Sequence, residues 1–198
     1  MAKLLDSLKN YHLILASKSP RRHELLKGLG LDFEIRIKNV DESFPQVLSR
    51  EEIPEFLAKK KADAFADELG EKDILITSDT VVVLGDKIFN KPENRGEAIS
   101  MINELSGRSH EVITGVCLTS KKNQVIFHDR AKVFFGDLDE DEISDYIDEH
   151  KPYDKAGSYG IQEWIGYAAI ERIEGSFYTV MGFPTRKFYT ELKKFTAQ

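Results

Sequence analysis

The sequence has a single cysteine, Cys117, so the chain cannot close a disulfide on itself. Its five histidines, His12, His23, His110, His128 and His150, show no ligand spacing. A thiolate or imidazole metal cluster is therefore not expected, and Cys117, inside "VITGVCLT", reads as a small buried hydrophobe. Positive charge is also short: 28 Lys and Arg stand against 34 Asp and Glu, a net charge of −6. That balance argues against a general nucleic-acid binder, which carries a basic footprint. It leaves room for a small anionic ligand, which needs only a local basic pocket. No apolar run approaches the ~20 residues that span a bilayer. The start, "MAKLLDSLKNYHLILAS", has no basic segment leading into a long apolar stretch and makes a poor signal peptide. The expected location is the cytoplasm, without a membrane partner. Repeats, low-complexity tracts and Pro/Gly/Ser-rich linkers are absent, as is the G-x-x-x-x-G-K-[ST] phosphate loop. What is present, 41% hydrophobic and 31% charged residues over 198 positions, suits one domain spanning 1–198 with an ordinary core.

Along the chain "HLILAS" reads as a buried strand, and "SPRRHELLKGLG" as a short helix closed by Gly28 or Gly30. "FEIRIKNV" alternates like a strand and "DESFPQVLSREE" is loop-like. A long helix is expected over about Arg50–Leu69, with Ile53, Phe56, Leu57, Ala64, Phe65 and Leu69 on its apolar face. "DILITSDTVVVLGDKIF" predicts strand, interruption, strand; "NRGEAISMINELSG" predicts a helix ended by Gly107. Two long strands joined by a polar turn follow in "SHEVITGVCLTSKKNQVIFHDRAKVFFG", then a largely solvent-facing acidic helix in "DEDEISDYIDEH". A strand-like "SFYTVMG" and a helix from Pro184 close the chain. Alternating helices and strands with one hairpin imply an α/β fold with a mixed sheet.

The chemistry begins at "SKSPRR". Ser19 suits an N-cap and Pro20 the first helical position, which puts Arg21 and Arg22 in the first turn. Positive charge there costs about 0.3–1 kcal/mol per residue when exposed. An anion at the helix end reverses the sign, and phosphate is the obvious candidate. The alternative is that both arginines point outward or pair with neighbours such as Glu24. Asp79, between two apolar runs, needs a partner, a metal or an Asx turn to be tolerated. Asp41 and Glu42 form a loop carboxylate pair; if one approaches Asp79, the two suit Mg²⁺ or Mn²⁺ and a shared phosphate. Helical periodicity sets Lys60 and Lys61 near the apolar arc and turns Lys59 away. Such lysines either snorkel or aim at a polyphosphate. Lys91 precedes a proline and Lys155 lies in a glycine-containing loop; each alone reads as a surface lysine. Gln162 is either a loop amide or a reader of a base edge, and Trp164 a packing residue or a base-stacking one.

In order, "LILASKSPRRHELL", "VDES", "FLAKKKADAF", "TSDTVVVL", "NKPENRGEA", "HEVITGVCL", "YDKAGSYGIQ" and "YTVMGFP" resemble the Maf family of nucleoside triphosphate pyrophosphatases. The resemblance runs from about Leu13 to the last helix and leaves residues 1–11 as a short extension. It implies a mixed, largely elongated β-sheet flanked by helices around a central cleft, related to the inosine triphosphate pyrophosphatases. It implies cleavage between the α and β phosphates with a divalent metal, Mg²⁺ or Mn²⁺, and is compatible with a homodimer. Asp79, Lys61 and Lys91 match the family's catalytic set, and Glu42 with Asp79 the metal ligands. Ser17, Arg21, Arg22, Lys61 and Lys91 match the residues around the triphosphate. Arg21, Thr80 and Gln162 match the branch acting on dTTP and UTP, where the branch acting on 7-methylguanosine triphosphate tends to carry tryptophan, glutamine and glutamate. That second substrate is one alternative. Because the family is associated with septum inhibition, a triphosphate-binding division regulator with little turnover is the other. Asn90 stands where the family commonly has glycine before the lysine, so altered backbone geometry is expected there.

Overall fold

The computed structural model describes residues 6–197, so the expected extension, residues 1–11, lies partly outside the described residues. Seven strands form one mixed sheet: β1 (His12–Leu15), β2 (Glu34–Ile35), β3 (Asp73–Leu84), β4 (Lys87–Phe89), β5 (Ser109–Thr119), β6 (Gln124–Phe135) and β7 (Ile170–Glu174). Their order is β2-β1-β3-β5-β6-β7, with β4 paired to β3 off this path. β1 runs parallel to both β2 and β3, while β3–β4 and β6–β7 are antiparallel. Among the described residues the sheet is accompanied by helices α1 (Pro20–Gly28), α2 (Glu52–Asp63), α3 (Arg95–Leu105), α4 (Glu140–His150), α5 (Trp164–Ala168), α6 (Phe177–Val180) and α7 (Thr185–Phe195). The expected α/β class with a mixed sheet and flanking helices is what the chain adopts. No helix among the described residues is long and apolar enough to cross a membrane.

Contacts group into two compact units. Among the described residues the first comprises 6–79, Thr114–Asp129 and 182–197. Its core includes Ile14, Ala58, Ala62, Phe65, Leu69, Leu75 and Cys117. Leu13, Ile14 and Leu15 of β1 are all buried, the uniformly apolar run that a parallel strand covered on both faces requires. Gly30, at φ 74°, turns the chain after α1 and returns its N–H to the Lys27 carbonyl at 2.8 Å.

Helix α2 is shorter than the expected Arg50–Leu69. It starts from a reciprocal pair: the Ser49 N–H donates to Glu52 Oε2 at 2.8 Å, and the Glu52 N–H points to Ser49 Oγ at 3.4 Å. "SREE" thus closes a reciprocal turn leading into the helix, whose own N-cap, Glu51, makes no side-chain capping bond. The helix stops at Asp63, where Lys38 Nζ takes the Ala64 carbonyl at 2.6 Å. A 3₁₀ turn, Ala66–Glu68, then lets Phe65 and Leu69 stay in the core without a continuous helix.

The second unit comprises Thr80–Ile113 and Arg130–Met181. Helix α4 carries a full capping box between Asp139 and Glu142 and buries Ile143, Tyr146 and Ile147 while its acidic side stays in water. Those three join Val82, Phe89, Ala98, Ile102, Leu105 and Val133 in one apolar cluster. One expectation fails here. "SFYTVMG" is not a strand: after Gly175, at φ 117°, the chain winds into the short helix α6. A Cβ on Gly175 would stand 2.9 Å from Ala131, so the turn runs flush against β6. The last strand is instead β7, hidden because its isoleucines lie three apart. A bulge at Phe134/Phe135 lets Ile173 oppose Val133 and Ile170 oppose Phe135, restoring one face despite the odd spacing.

Candidate active site

The expected strand, interruption, strand is β3 from Asp73 to Leu84, a turn at Gly85, and β4 from Lys87; the break falls after Leu84 and not at Asp79. Asp79 is therefore a buried carboxylate inside a strand rather than an Asx-turn residue, with a relative exposure of 8%. Period-two geometry puts Thr77 and Asp79 on the same side of β3. Thr77 Oγ1 donates to the Ala58 carbonyl of α2 at 2.7 Å, and Asp79 Oδ1 meets the Lys61 ammonium. Pro54, Ala58 and Lys61 recur at helical spacing, so one face of α2 lies on the sheet and Lys61 ends it. Gly115 of β5 permits that approach, since a Cβ there would stand 2.4 Å from the Pro54 carbonyl carbon.

The three consecutive lysines diverge. Lys59 pairs with Asp63 at 2.6 Å on the exposed side of α2. Lys60 reaches Asp41 and the Ser43 carbonyl, both at 3.0 Å. Lys61, 17% exposed, bridges Asp79 and Glu42, with Glu42 Oε1 at 2.8 Å. The Asp41/Glu42 pair therefore splits: Asp41 is a loop carboxylate whose pKa falls to about 2, first through the Ser43 hydroxyl and then Lys60. Glu42 shares one ammonium with Asp79, an arrangement that gathers two carboxylates around a positive charge.

Of the two arginines at the start of α1, Arg22 turns inward. Its Nε donates to the Gly182 carbonyl at 2.9 Å and Nη1 to the Ser78 carbonyl at 2.7 Å. Burial lowers its pKa and Asp79 opposes that shift; Arg21 lowers it further and Glu42 raises it. The outward-pointing alternative is thus excluded for Arg22, while Arg21 is half-buried. Ser19 sits at the N-cap but its hydroxyl makes no capping bond. Instead its N–H donates to the Oγ of buried Ser17 at 3.1 Å, and the Ser17 carbonyl meets His23 Nε2 at 2.8 Å. Ser78 Oγ is buried without a hydrogen-bond partner among the described residues.

Three expected site residues belong to the second unit. Thr80 follows Asp79 on β3 and is half-buried. Lys91 is exposed beyond β4, and the preceding Asn90 gives its carbonyl to the Gly157 N–H at 3.1 Å. Among the described residues only Lys151 and Ser158 are non-glycines with positive φ, so Asn90 occupies ordinary backbone and needs no glycine. Gln162 Oε1 is buried and unpartnered among the described residues. Lys155 is not a surface lysine: it is 7% exposed and pairs with Asp154 at 2.8 Å and Glu163 at 3.0 Å. Trp164, by contrast, is exposed.

Among the described residues no group of three or more His, Cys, Asp or Glu could hold a metal ion. Glu42 and Asp79 offer two carboxylates, a donor set that fits a hard cation which keeps its remaining positions for water and phosphate oxygens.

Known proteins resemble this chain over nearly its whole length. A curated relative from Parabacteroides distasonis, named dTTP/UTP pyrophosphatase, is 50% identical over 97% of this chain and 100% of its own length. One of the same name from Bacteroides fragilis is 50% identical over 96% of this chain and 100% of its own. Another, from Porphyromonas gingivalis, is 48% identical over 97% and 98%. The solved structure of the Staphylococcus aureus Ham1 protein superposes with a TM-score of 0.46 at 16% identity, covering 64% of this chain and 72% of that one. The family described as Maf-like protein matches residues 12–195, and this chain belongs to it.

Proposed function

We propose that this protein hydrolyses the pyrimidine nucleoside triphosphates dTTP and UTP to the monophosphate and pyrophosphate, and does so in the cytoplasm. The observation that supports it best is the Lys61 bridge between the Asp79 and Glu42 carboxylates, in a chain about 50% identical over nearly its whole length to relatives named for this activity. Water attacks the α-phosphorus, the bond to the bridging oxygen breaks, and pyrophosphate departs. Asp79 accepts the proton that the attacking water releases, so its carboxylate is the group whose loss stops turnover. Lys61 orients that carboxylate and, with Arg22 and Lys91, balances negative charge on the departing group. Ser17 and Arg21 bind the phosphate chain. A divalent cation, Mg²⁺ or Mn²⁺, held by Glu42 and Asp79, supplies further charge neutralisation when bound.

Arg21, Thr80 and Gln162 select the base. A uracil or thymine edge presents an N–H donor beside carbonyl acceptors, and an amide can answer both. The unpartnered Gln162 oxygen supports that use, since a buried acceptor left alone is costly until a ligand donor arrives. For Lys91, Thr80 and Gln162 the assignment rests on the sequence match. The test is pyrophosphate release from dTTP, UTP, CTP and 7-methylguanosine triphosphate, each with and without Mg²⁺ or Mn²⁺. The proposal expects metal-dependent turnover with dTTP and UTP preferred in kcat/KM. Preference for the methylated guanosine substrate, or tight binding without release, contradicts it.

A further inference from the structure

Gln162 stands third in a closed four-residue turn: the Glu163 N–H donates to the Gly160 carbonyl at 3.0 Å. The turn is held from several sides within the second unit. The Gly160 N–H donates to Tyr146 Oη at 3.0 Å, and the Tyr146 hydroxyl donates to Glu163 Oε2 at 2.5 Å. The other oxygen of that carboxylate, Oε1, takes Lys155 Nζ at 3.0 Å. The Glu163 carbonyl receives the Gly166 N–H at 2.9 Å, which starts α5. Gly166 cannot be replaced cheaply, since a Cβ there would stand 1.7 Å from the Ile161 carbonyl oxygen, while a Cβ on Gly160 would meet only the Glu163 carboxylate, at 2.7 Å from its carbon. Just before the turn, buried Tyr159 shares a 2.7 Å hydrogen bond with buried His110.

The clamp is anchored in the core. Tyr146 is 2% exposed and belongs to the apolar cluster of α4, and the Lys155 side chain is 8% exposed. Burying an ammonium and a carboxylate rarely adds stability over an apolar pair of the same size. What such a pair does provide is a fixed geometry, and the geometry here belongs to the backbone on both sides of Gln162. Phe in place of Tyr146 and an aliphatic pair in place of Lys155 and Glu163 would fill the same volume. They would leave the Gly160 N–H without its acceptor.

We infer that Tyr146, Lys155 and Glu163 are positioning residues, which hold the Gly160–Glu163 turn so that the Gln162 amide stands in one place and discriminates uracil and thymine from cytosine. The inference rests on the proposed role of Gln162 as the reader of the base. Uracil presents N3–H and a 4-carbonyl where cytosine presents a bare N3 and an amino group, so the two edges exchange donor and acceptor. An amide whose backbone shifts by an ångström meets either edge equally badly, and misplacement on that scale can cost on the order of 100-fold.

The test compares kcat/KM for UTP and CTP in the parent, Tyr146→Phe, Gln162→Ala and the double variant, with Glu163→Gln as a second way of releasing the turn. The UTP/CTP ratio should narrow about tenfold in Tyr146→Phe and in Glu163→Gln, mainly through a higher KM for UTP. In the Gln162→Ala background, Tyr146→Phe should narrow it no further, because the two act through one contact. A purely structural role would lower both substrates by the same factor and leave the ratio alone. If Gln162→Ala narrows the ratio and neither Tyr146→Phe nor Glu163→Gln does, the clamp is refuted while the role of Gln162 survives. If Gln162→Ala itself leaves the ratio unchanged, the base-reading role falls and the clamp falls with it.

Discussion

Replacing Arg22 by methionine removes two charge-assisted hydrogen bonds, from Nε to the Gly182 carbonyl and from Nη1 to the Ser78 carbonyl. Each such bond is worth about 1.5–3 kcal/mol, and its loss strands a carbonyl. The variant recovers part of this, because burial already disfavours the charged guanidinium, as its lowered pKa records. The net expectation is a destabilisation of about 2–3 kcal/mol. For a chain of this length each kcal/mol moves Tm by roughly 2–4 °C, which gives a fall of about 4–12 °C. Arg22→Lys keeps the charge but cannot reach both carbonyls from one planar group, so it should fall between the two. Thermal unfolding followed by circular dichroism measures this, with kcat/KM taken well below either Tm to separate stability from phosphate binding. A methionine variant that melts within about 1 °C of the parent would show that Arg22 does not tie α1 to the Ser78 and Gly182 backbone.

Other consequences follow from buried groups. Gly115→Ala drives a methyl into the Pro54 backbone 2.4 Å away and should destabilise by about 3 kcal/mol in urea unfolding. Burial lowers the His110 pKa from its ordinary 6.5 to about 3. Between those values the unfolded chain binds the extra proton, so stability is complete above about pH 6.5 and falls as pH drops. By pH 5 about 2 kcal/mol should be gone, and His110→Gln should flatten that slope in urea midpoints measured from pH 5 to 8. Cys117 is fully buried, and burial pushes its thiol up to about 11. It should resist a thiol reagent at pH 8 in the native protein and react once the protein is unfolded.

Much of this was legible in the residues themselves. The apolar runs of β1, β3 and β5, the helices α3 and α4, and the inward tendency of Lys61 all follow from local pattern. Periodicity could not separate Lys60 from Lys61, because both lie near one arc; the sheet decides, through Gly115 and Thr77, which of them meets Asp79. β7 was hidden by a bulge that turns a period of two into a spacing of three. α6 was misread because a short apolar run carries no length to tell strand from helix, and the turn at Gly175 decides. The burial of Lys155 had no local sequence signal: Glu163 lies eight residues away and is itself held by Tyr146 of α4.

The central claim is that the Asp79 carboxylate accepts the proton of the attacking water, and one substitution tests it most directly. Asp79→Asn keeps the shape and a hydrogen-bond acceptor for Lys61 but removes the base. Pyrophosphate release from UTP with Mg²⁺ should fall at least ~1,000-fold while Tm stays near that of the parent. Turnover at the parent rate by a folded Asp79→Asn protein would contradict the account.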